Sequence, residues 1–479
     1  MTSPSQVANE RKLLDQVLKP ASKLDRRRFF VSAAAFGAAA AGAGAAQAQV
    51  AAAATTQIPS LTPPDTLHHS MRKAAGRSRQ TFVKDLSQLV DLNGTNQGAA
   101  YWNFKSYITP IDQFFIRNEF STPRQDLDSR VARETWQLTI HGDAVEQPLT
   151  LTYADLMKLP SRSLIATMEC AGNGRSLFWE QQGMLDDPTK VGGTGWGLGG
   201  IGQAEWQYVP MSVILAKVGL KKNAKAALFW SGVDNKEDKP GAIGDRGRPI
   251  DIATLTSNAD FIGLAFKMNG QDLPADHGGP VRMVVPGYCG AASIKWVTEI
   301  KIASHDFWVP LNTTAHVLVG PDYAPSKPAP GDEFRFTTTD KIKGQPVLWS
   351  PPKSLITVPL VLEKQPKIPH NYPLKAGEMP KIPAGLQMIN GYAWAPRYGV
   401  RHVEYRLNGG QWKRATILPP NLGRFSWVRF EFPFNPLAGR HEIETRTTDM
   451  RGNKQPATVP FNKGGFDFWA IPKFKVEAV

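Results

Sequence analysis

Cys170 is the residue best placed to do chemistry. It follows the strand-like run Leu164-Ile165-Ala166-Thr167-Met168 and Glu169, and it opens the turn Ala171-Gly172-Asn173-Gly174-Arg175. A side chain leaving a strand into such a turn faces whatever packs there, and the glycines admit close approach of a cofactor or backbone. Arg175 nearby favours thiolate over thiol. A thiolate is the soft ligand a transition metal takes, and also the nucleophile of covalent catalysis. On its own, a lone cysteine reads more readily as a buried structural residue. The surroundings must decide.

A second cluster runs Asp276-His277-Gly278-Gly279-Pro280-Val281-Arg282, then Val284-Val285-Pro286-Gly287, then Ser293-Ile294-Lys295-Trp296. Cationic side chains alternate with glycines and short strands. That pattern suits a phosphorylated ligand, with backbone N–H groups approaching through the glycines while Arg and Lys neutralise charge. A hairpin with solvated basic residues fits equally well. A third piece, Phe114-Phe115-Ile116-Arg117-Asn118-Glu119, ends an apolar run on an arginine, as an anion-reading segment would.

These pieces need elements to hold them. Short apolar runs alternate with turns from about Gln113 onward, as in Trp136–Ile140 and Ala227–Trp230. Helical patterning is sparse, best over Tyr153–Leu159 and Met211–Val218. The reading is a mixed α+β domain over 111–345, rich in loops, as 42 glycines and 38 prolines require. After a Pro-rich arm at 321–330, alternating strands dominate 353–479, with Asn408-Gly409 as a hairpin signal. That is the pattern of an immunoglobulin-like β-sandwich without a disulfide.

Composition closes off other classes. Of 479 residues, 42% are hydrophobic and 20% charged, which is globular. Two cysteines, Cys170 and Cys289, cannot build a disulfide scaffold, a cysteine-rich zinc site or a four-thiolate iron–sulfur site. No C-x-x-C-H is present for covalent haem. The net charge of +14 comes without a basic helix, zinc finger or RNP-like strand, so the expected partners are small anions, with no nucleic acid.

Asp25-Arg26-Arg27-Arg28-Phe29-Phe30, an Ala/Gly tract and the small-x-small Ala46-Gln47-Ala48 make residues 1–48 a twin-arginine signal peptide. The expected location is the periplasm, with no membrane span in the mature protein and a cofactor inserted before export. Residues 49–110 read as an extended lead-in.

Cys170-Ala171-Gly172-Asn173-x-Arg175, followed by Gly195-Trp196 and Gly199-Gly200-Ile201, resembles the sulfite oxidase family of molybdenum–pterin enzymes. So do Asp276-His277-Gly278-x-Pro280-Val281-Arg282, Val285-Pro286-Gly287 and Lys295-Trp296. Gly391-Tyr392-Ala393-Trp394 with Gly410-x-Trp412 is similar to that family's dimerisation domain. The resemblance runs from about 110 to 470. It implies a sulfite-oxidase-like molybdopterin domain followed by an Ig-like dimerisation domain, hence a homodimer. Cys170 would be the protein thiolate on molybdenum. Phe115, Ile116, Arg117 and Asn118 would line the pterin, with Arg117 also facing the substrate. Arg175 and Trp196 would belong to the oxyanion pocket, with Tyr323 as the active-site tyrosine. Asp234, His277, Arg282, Ser293, Ile294 and Lys295 would hold the pterin and its phosphate.

The activity so implied is oxidation of sulfite to sulfate, with electrons leaving one at a time to a separate c-type cytochrome, since the chain has no haem motif. Three positions depart from the family pattern. Glu119 stands where a histidine is common, Trp469 is followed by Ala470-Ile471 rather than an arginine, and Tyr323 is the only tyrosine between 297 and 340. They leave open a sulfane dehydrogenase molybdenum subunit. Outside the resemblance stand a metal-free secreted Ig-like binding protein and a cysteine hydrolase using Cys170 and His277.

Overall fold

The lead-in is more than extended chain. Leu89–Asp91 pairs antiparallel with β1 (Asn96–Ala99), and β1 pairs with β2 (Ile116–Arg117), so Arg117 lies across from Asn96. The chain is described in a computed structural model covering residues 84–92, 95–123, 128–181, 191, 193–233, 247–361, 374 and 377–479. The expected signal peptide, the start of the lead-in and Asp234 lie outside these residues.

Seven of the following strands belong to two five-stranded sheets. Along the chain they are β3 (Gln137–His141), β4 (Arg162–Glu169), β5 (Ile201–Pro210), β6 (Ala226–Ser231), β7 (Gly263–Met268), β8 (Arg282–Val284) and β9 (Val297–Ala303). In one sheet β4, β5 and β7 are successive antiparallel neighbours, and β8 pairs β7 with Arg282 opposite Ala265. In the other, β9 lies parallel to β3 and antiparallel to β6. Helices are short, and Tyr153–Met157 and Met211–Val218 fall where the periodicity puts them.

The two faces of β7 feed different cores. Leu264 and Phe266 pack with the second sheet, whereas Ala265 and Met268 pack on the side that holds Met168 and Cys170. Alternation along a strand sends successive side chains to opposite faces, so the sheet is buried on both sides at β7.

From Lys353 the chain forms two further sheets. They are built on β10 (Lys353–Ile356), β11 (Gln387–Trp394), β12 (Val400–Leu407), β13 (Val428–Phe434), β14 (Gly439–Asp449) and β15 (Lys473–Ala478). Strands β10, β11 and β13 lie in one, and β12, β14 and β15 in the other. Tyr405 of β12 stacks on Phe432 of β13 at 4.1 Å between centroids, so the sheets pack face to face as a sandwich. The hairpin signal holds: Asn408 and Gly409 have φ of 51° and 70°, the two positive values a type I′ turn needs.

Sandwich and first sheet share one core. Trp394, Trp427, Phe430 and Phe468 join Met168, Cys170, Leu177 and Phe178 in a continuous buried cluster. Among the described residues, no helix is long and apolar enough to cross a membrane.

Candidate active site

Cys170 stands at the end of β4, where its N–H donates to Gly200 O at 2.8 Å. Its own carbonyl accepts from Asn173 N–H at 2.9 Å and Gly172 O accepts from Arg175 N–H at 2.9 Å, closing the turn. Gly174, at φ 89°, supplies the left-handed step that starts the helix Arg175–Gln181. The thiol is buried. Burial raises its pKa, and the opposing pull of Arg117, the Gly172 N–H and Arg175 does not overcome it. The expectation that Arg175 makes a thiolate therefore needs correcting for the metal-free chain: the arginine acts in the expected direction, but desolvation wins.

Arg175 threads a slot that only glycines leave open. A Cβ at Gly172 would stand 2.8 Å from its Nη2, and one at Gly193 would stand 2.8 Å from its Nη1. Nε donates to Gly464 O at 2.8 Å and Nη1 to Thr194 O at 2.6 Å, and the guanidinium lies over the Phe466 ring at 4.9 Å. Burial lowers its pKa to about 10.

The cavity beside the thiol gathers most of the expected residues. Its lining includes Phe115, Arg117, Asn118, Cys170, His277, Arg282, Ser293, Ile294 and Lys295. Among the described residues, three cations, Arg117, Arg282 and Lys295, face it with a single lining carboxylate, Glu119. Arg117 is ion-paired with that Glu119, so the carboxylate at this departure from the family pattern is turned onto the arginine.

Arg282 is fully buried. It donates to His277 O and Ser293 O, both at 2.8 Å, and stacks over Trp206 at 5.3 Å. It fixes the two loops of the cavity, and burial lowers its pKa to about 9. Lys295 Nζ donates to Asn118 Oδ1 and to Asp276 O, tying the third sequence cluster to the second. Its pKa falls well below normal, first through burial and then through Arg282. Gly278 makes room for this lysine: at φ 101°, its Cβ would stand 2.8 Å from Lys295 Cβ. His277 is likewise pushed well down by burial, with Lys84, Lys295 and Arg282 adding to it. Several cationic groups thus lie buried within each other's reach, an arrangement that an anion in the cavity would relieve.

The remaining expected residues stand off the lining, Arg175 among them, its Nε and Nη1 turned to Gly464 O and Thr194 O. Ile116 is fully buried beneath it, because alternation along β2 turns it away from Phe115 and Arg117. Trp196 is buried behind Phe115, edge to face at 5.9 Å. Tyr323 lies outside the lining: its N–H donates to Gly320 O in a turn that leaves the side chain half-buried.

Two residues escaped the sequence reading. Lys84 donates to the carbonyls of Ile111 and Phe114 and sits 3.2 Å from His277 Nε2, with its pKa lowered to about 7 by burial. Nothing in the polar stretch around it marks it out. His316 lines the cavity, buried, with Nδ1 lacking any hydrogen-bond partner. An isolated histidine in Thr-Ala-His-Val carries no motif.

The fold and site together define an oxidoreductase of the molybdopterin-binding type: residues 122–309 match the model of the oxidoreductase molybdopterin binding domain. The chain is similar to members of the sulfite oxidase family of molybdopterin enzymes. It is 30% identical over 364 residues to mitochondrial sulfite oxidase of Rattus norvegicus, covering 74% of this chain and 58% of that protein. It is 26% identical over 378 residues to sulfite oxidase of Arabidopsis thaliana, covering 84% of it. The chain thus spans 58% of the length of the rat protein and 84% of the plant one. Its fold is similar to that of the sulfane dehydrogenase SoxCD from Paracoccus pantotrophus, with a TM-score of 0.61, 22% identity, and coverage of 85% of this chain and 90% of that one.

The residues fit a molybdenum–pterin cofactor. A free buried thiol lies beside a cavity walled by aromatic rings and buried cations, with an orphaned imidazole nitrogen on its wall. Among the described residues no group of three or more His, Cys, Asp or Glu side chains could hold a metal by itself. Cys170 is therefore the protein ligand on offer, and the remaining ligands must come with the metal.

Proposed function

We propose that this protein is a periplasmic sulfite dehydrogenase, oxidising sulfite to sulfate and passing electrons to a separate c-type cytochrome. The observation that carries this reading is the buried cation excess beside Cys170. Burying such charges is costly unless an anion joins them, and both the cofactor phosphate and a sulfur oxyanion supply one. The cofactor, when bound, supplies oxygen-atom transfer and two-electron chemistry.

The chain's own residues do the rest. Cys170 would hold the metal as thiolate, coordination offsetting the penalty that burial puts on ionising the thiol. Lys295, Arg282 and the His277 loop would hold the pterin end, with Phe114 and Phe115, stacked at 5.4 Å, forming an apolar wall. Arg117 and Arg175 would orient the oxyanion and offset its desolvation. The largely apolar walls lower the local dielectric, which strengthens each charge interaction.

The twin-arginine and Ala-x-Ala patterns of residues 1–48 support export to the periplasm. The sandwich supports an Ig-like domain that carries a twofold dimer contact. One observation favours sulfane sulfur as a second substrate reading: Glu119 neutralises part of Arg117's charge, which suits a substrate less charged than sulfite.

Metal and pterin analysis of protein from molybdate-replete cells, with a sulfite–cytochrome c assay, tests the proposal. Wild-type protein should carry molybdenum and turn over sulfite. Cys170→Ser should keep its fold and lose turnover. Wild-type protein free of both metal and pterin would reject the assignment.

A further inference from the structure

A patch on the outside of the molecule is joined to the Cys170 turn by one short segment. Its members touch in series. The Arg397 guanidinium lies over the Trp349 ring at 5.2 Å and the Tyr398 ring at 5.1 Å, and Arg451 covers Tyr398 at 4.9 Å. Leu348, next to Trp349, is 45% exposed, and Met450, next to Arg451, is 61% exposed. Arg397 and Arg451 are exposed, and both rings are half-buried. Met450 N–H donates to Gly399 O at 3.0 Å, which ties the turn after β14 to the turn before β12.

Positive charge is left over here. Among the described residues neither guanidinium is ion-paired with a carboxylate. Asp449, the acid nearest Arg451 along the chain, is buried and accepts the N–H groups of Arg451 and Asn453, both at 2.9 Å. Arginine, tryptophan, tyrosine and methionine are the residues that protein-binding surfaces concentrate. Unpaired cations around them suit an acidic partner.

The joining segment is Tyr288–Gly290. Tyr288 packs on Trp349 at 4.3 Å between centroids. Cys289 N–H donates to Leu348 O at 2.8 Å, and Cys289 packs with Ala171, the neighbour of Cys170. Gly290 lines the cavity. Three residues therefore reach from the cavity wall to the patch. Electron tunnelling weakens steeply with distance, so a protein acceptor gains by docking where so little polypeptide intervenes.

We propose that Leu348, Trp349, Arg397, Tyr398, Met450 and Arg451 form the docking surface for the electron acceptor, a small haem protein with an acidic rim around its haem edge. This rests on the sulfite dehydrogenase reading and adds where the partner binds. Oxidising sulfite to sulfate takes up one water and releases two protons and two electrons, so two ferric haem proteins are reduced in turn. Encounters of this kind bury little area, and complementary charge sets their rate.

Cofactor-loaded wild type, Arg397→Glu and Trp349→Ala are assayed with sulfite and a soluble c-type cytochrome of net negative charge. Ferricyanide, a small acceptor that needs no docking surface, replaces the cytochrome in a parallel series. The KM for the cytochrome should rise ~10-fold in both variants, and its dependence on salt should flatten in Arg397→Glu. Metal and pterin content, the KM for sulfite and the kcat with ferricyanide should stay at wild-type values. An unchanged cytochrome KM in either variant overturns the assignment, and so does an equal loss with ferricyanide, which would put the defect inside the cavity. Wild type that turns over with ferricyanide alone overturns it as well. A mass by light scattering that is halved in either variant would give the patch to a second copy of the chain instead. Loaded wild type that oxidises no sulfite with either acceptor would overturn the dehydrogenase reading itself.

Discussion

At the scale of single residues the site is set by what glycine leaves out. Arg175 reaches its place because positions 172 and 193 carry no side chain. Gly172→Ala puts a methyl group 2.8 Å from Nη2, so the guanidinium must move off its carbonyl partners. The expected outcome is a sulfite KM raised roughly tenfold, the equivalent of ~1.4 kcal/mol and about one charge-assisted hydrogen bond, with cofactor content unchanged. Steady-state kinetics on the loaded variant check it. The glycines of this turn were legible in the sequence, since Cys-Ala-Gly-Asn-x-Arg carries its own geometry. His316 and Lys84 were not, because each owes its place to a partner far along the chain and neither sits in a patterned run. Tyr323 is the one phenol in its region, yet the turn at Gly320 leaves it half-buried and off the cavity lining.

Among elements, the decisive joint is between β4 and the sandwich. Glu169, next to the thiol-bearing residue, pairs with Lys353 at 2.7 Å, both buried, and accepts from Trp394 Nε1 and Asn173 Nδ2 at 2.9 Å each. Lys353→Met leaves that carboxylate buried without its cation and should destabilise the protein by ~3–5 kcal/mol. Adding Glu169→Gln should recover part of the loss, and denaturant titrations of the single and double variants measure it. Alternating apolar patterning made most strands legible, including the long ones of the sandwich. The pairing of Asn96–Ala99 with Ile116–Arg117 was hidden, because backbone hydrogen bonds rather than apolar side chains hold those polar residues.

For the molecule as a whole, charge is arranged against its own stability until a ligand arrives. Lys84 has its pKa lowered by burial from 10.5 to about 7, despite the opposing pull of Asp276 and Asp112. Between those values the unfolded chain binds the proton and the folded chain does not, so stability rises with pH across that window, and below it the penalty is constant. Cofactor-free protein should thus gain stability from Lys84 between about pH 7 and 10.5. The advantage of wild type over Lys84→Met should grow with pH in melting experiments. Loading the cofactor should shrink that growth, because an anion nearby favours the protonated amine. The switch to the strands of the sandwich was legible from the change in pattern near 353. That both domains share one core was not, since no local pattern reports which distant surface a buried face will meet.

That shared core imposes a timetable. The turn carrying Cys170 is closed by residues nearly three hundred positions downstream: Ala171 O accepts from Asp467 N–H at 2.9 Å, Gly464 O holds Arg175, and Phe468 packs on Phe178 at 5.1 Å. While the polypeptide is still emerging from the ribosome, the turn that carries Cys170 has no far wall. Cofactor insertion must therefore wait for translation past residue 468, and a chain stalled earlier would present a half-built cradle and the bare edge of β4, a target for chaperone capture or proteolysis.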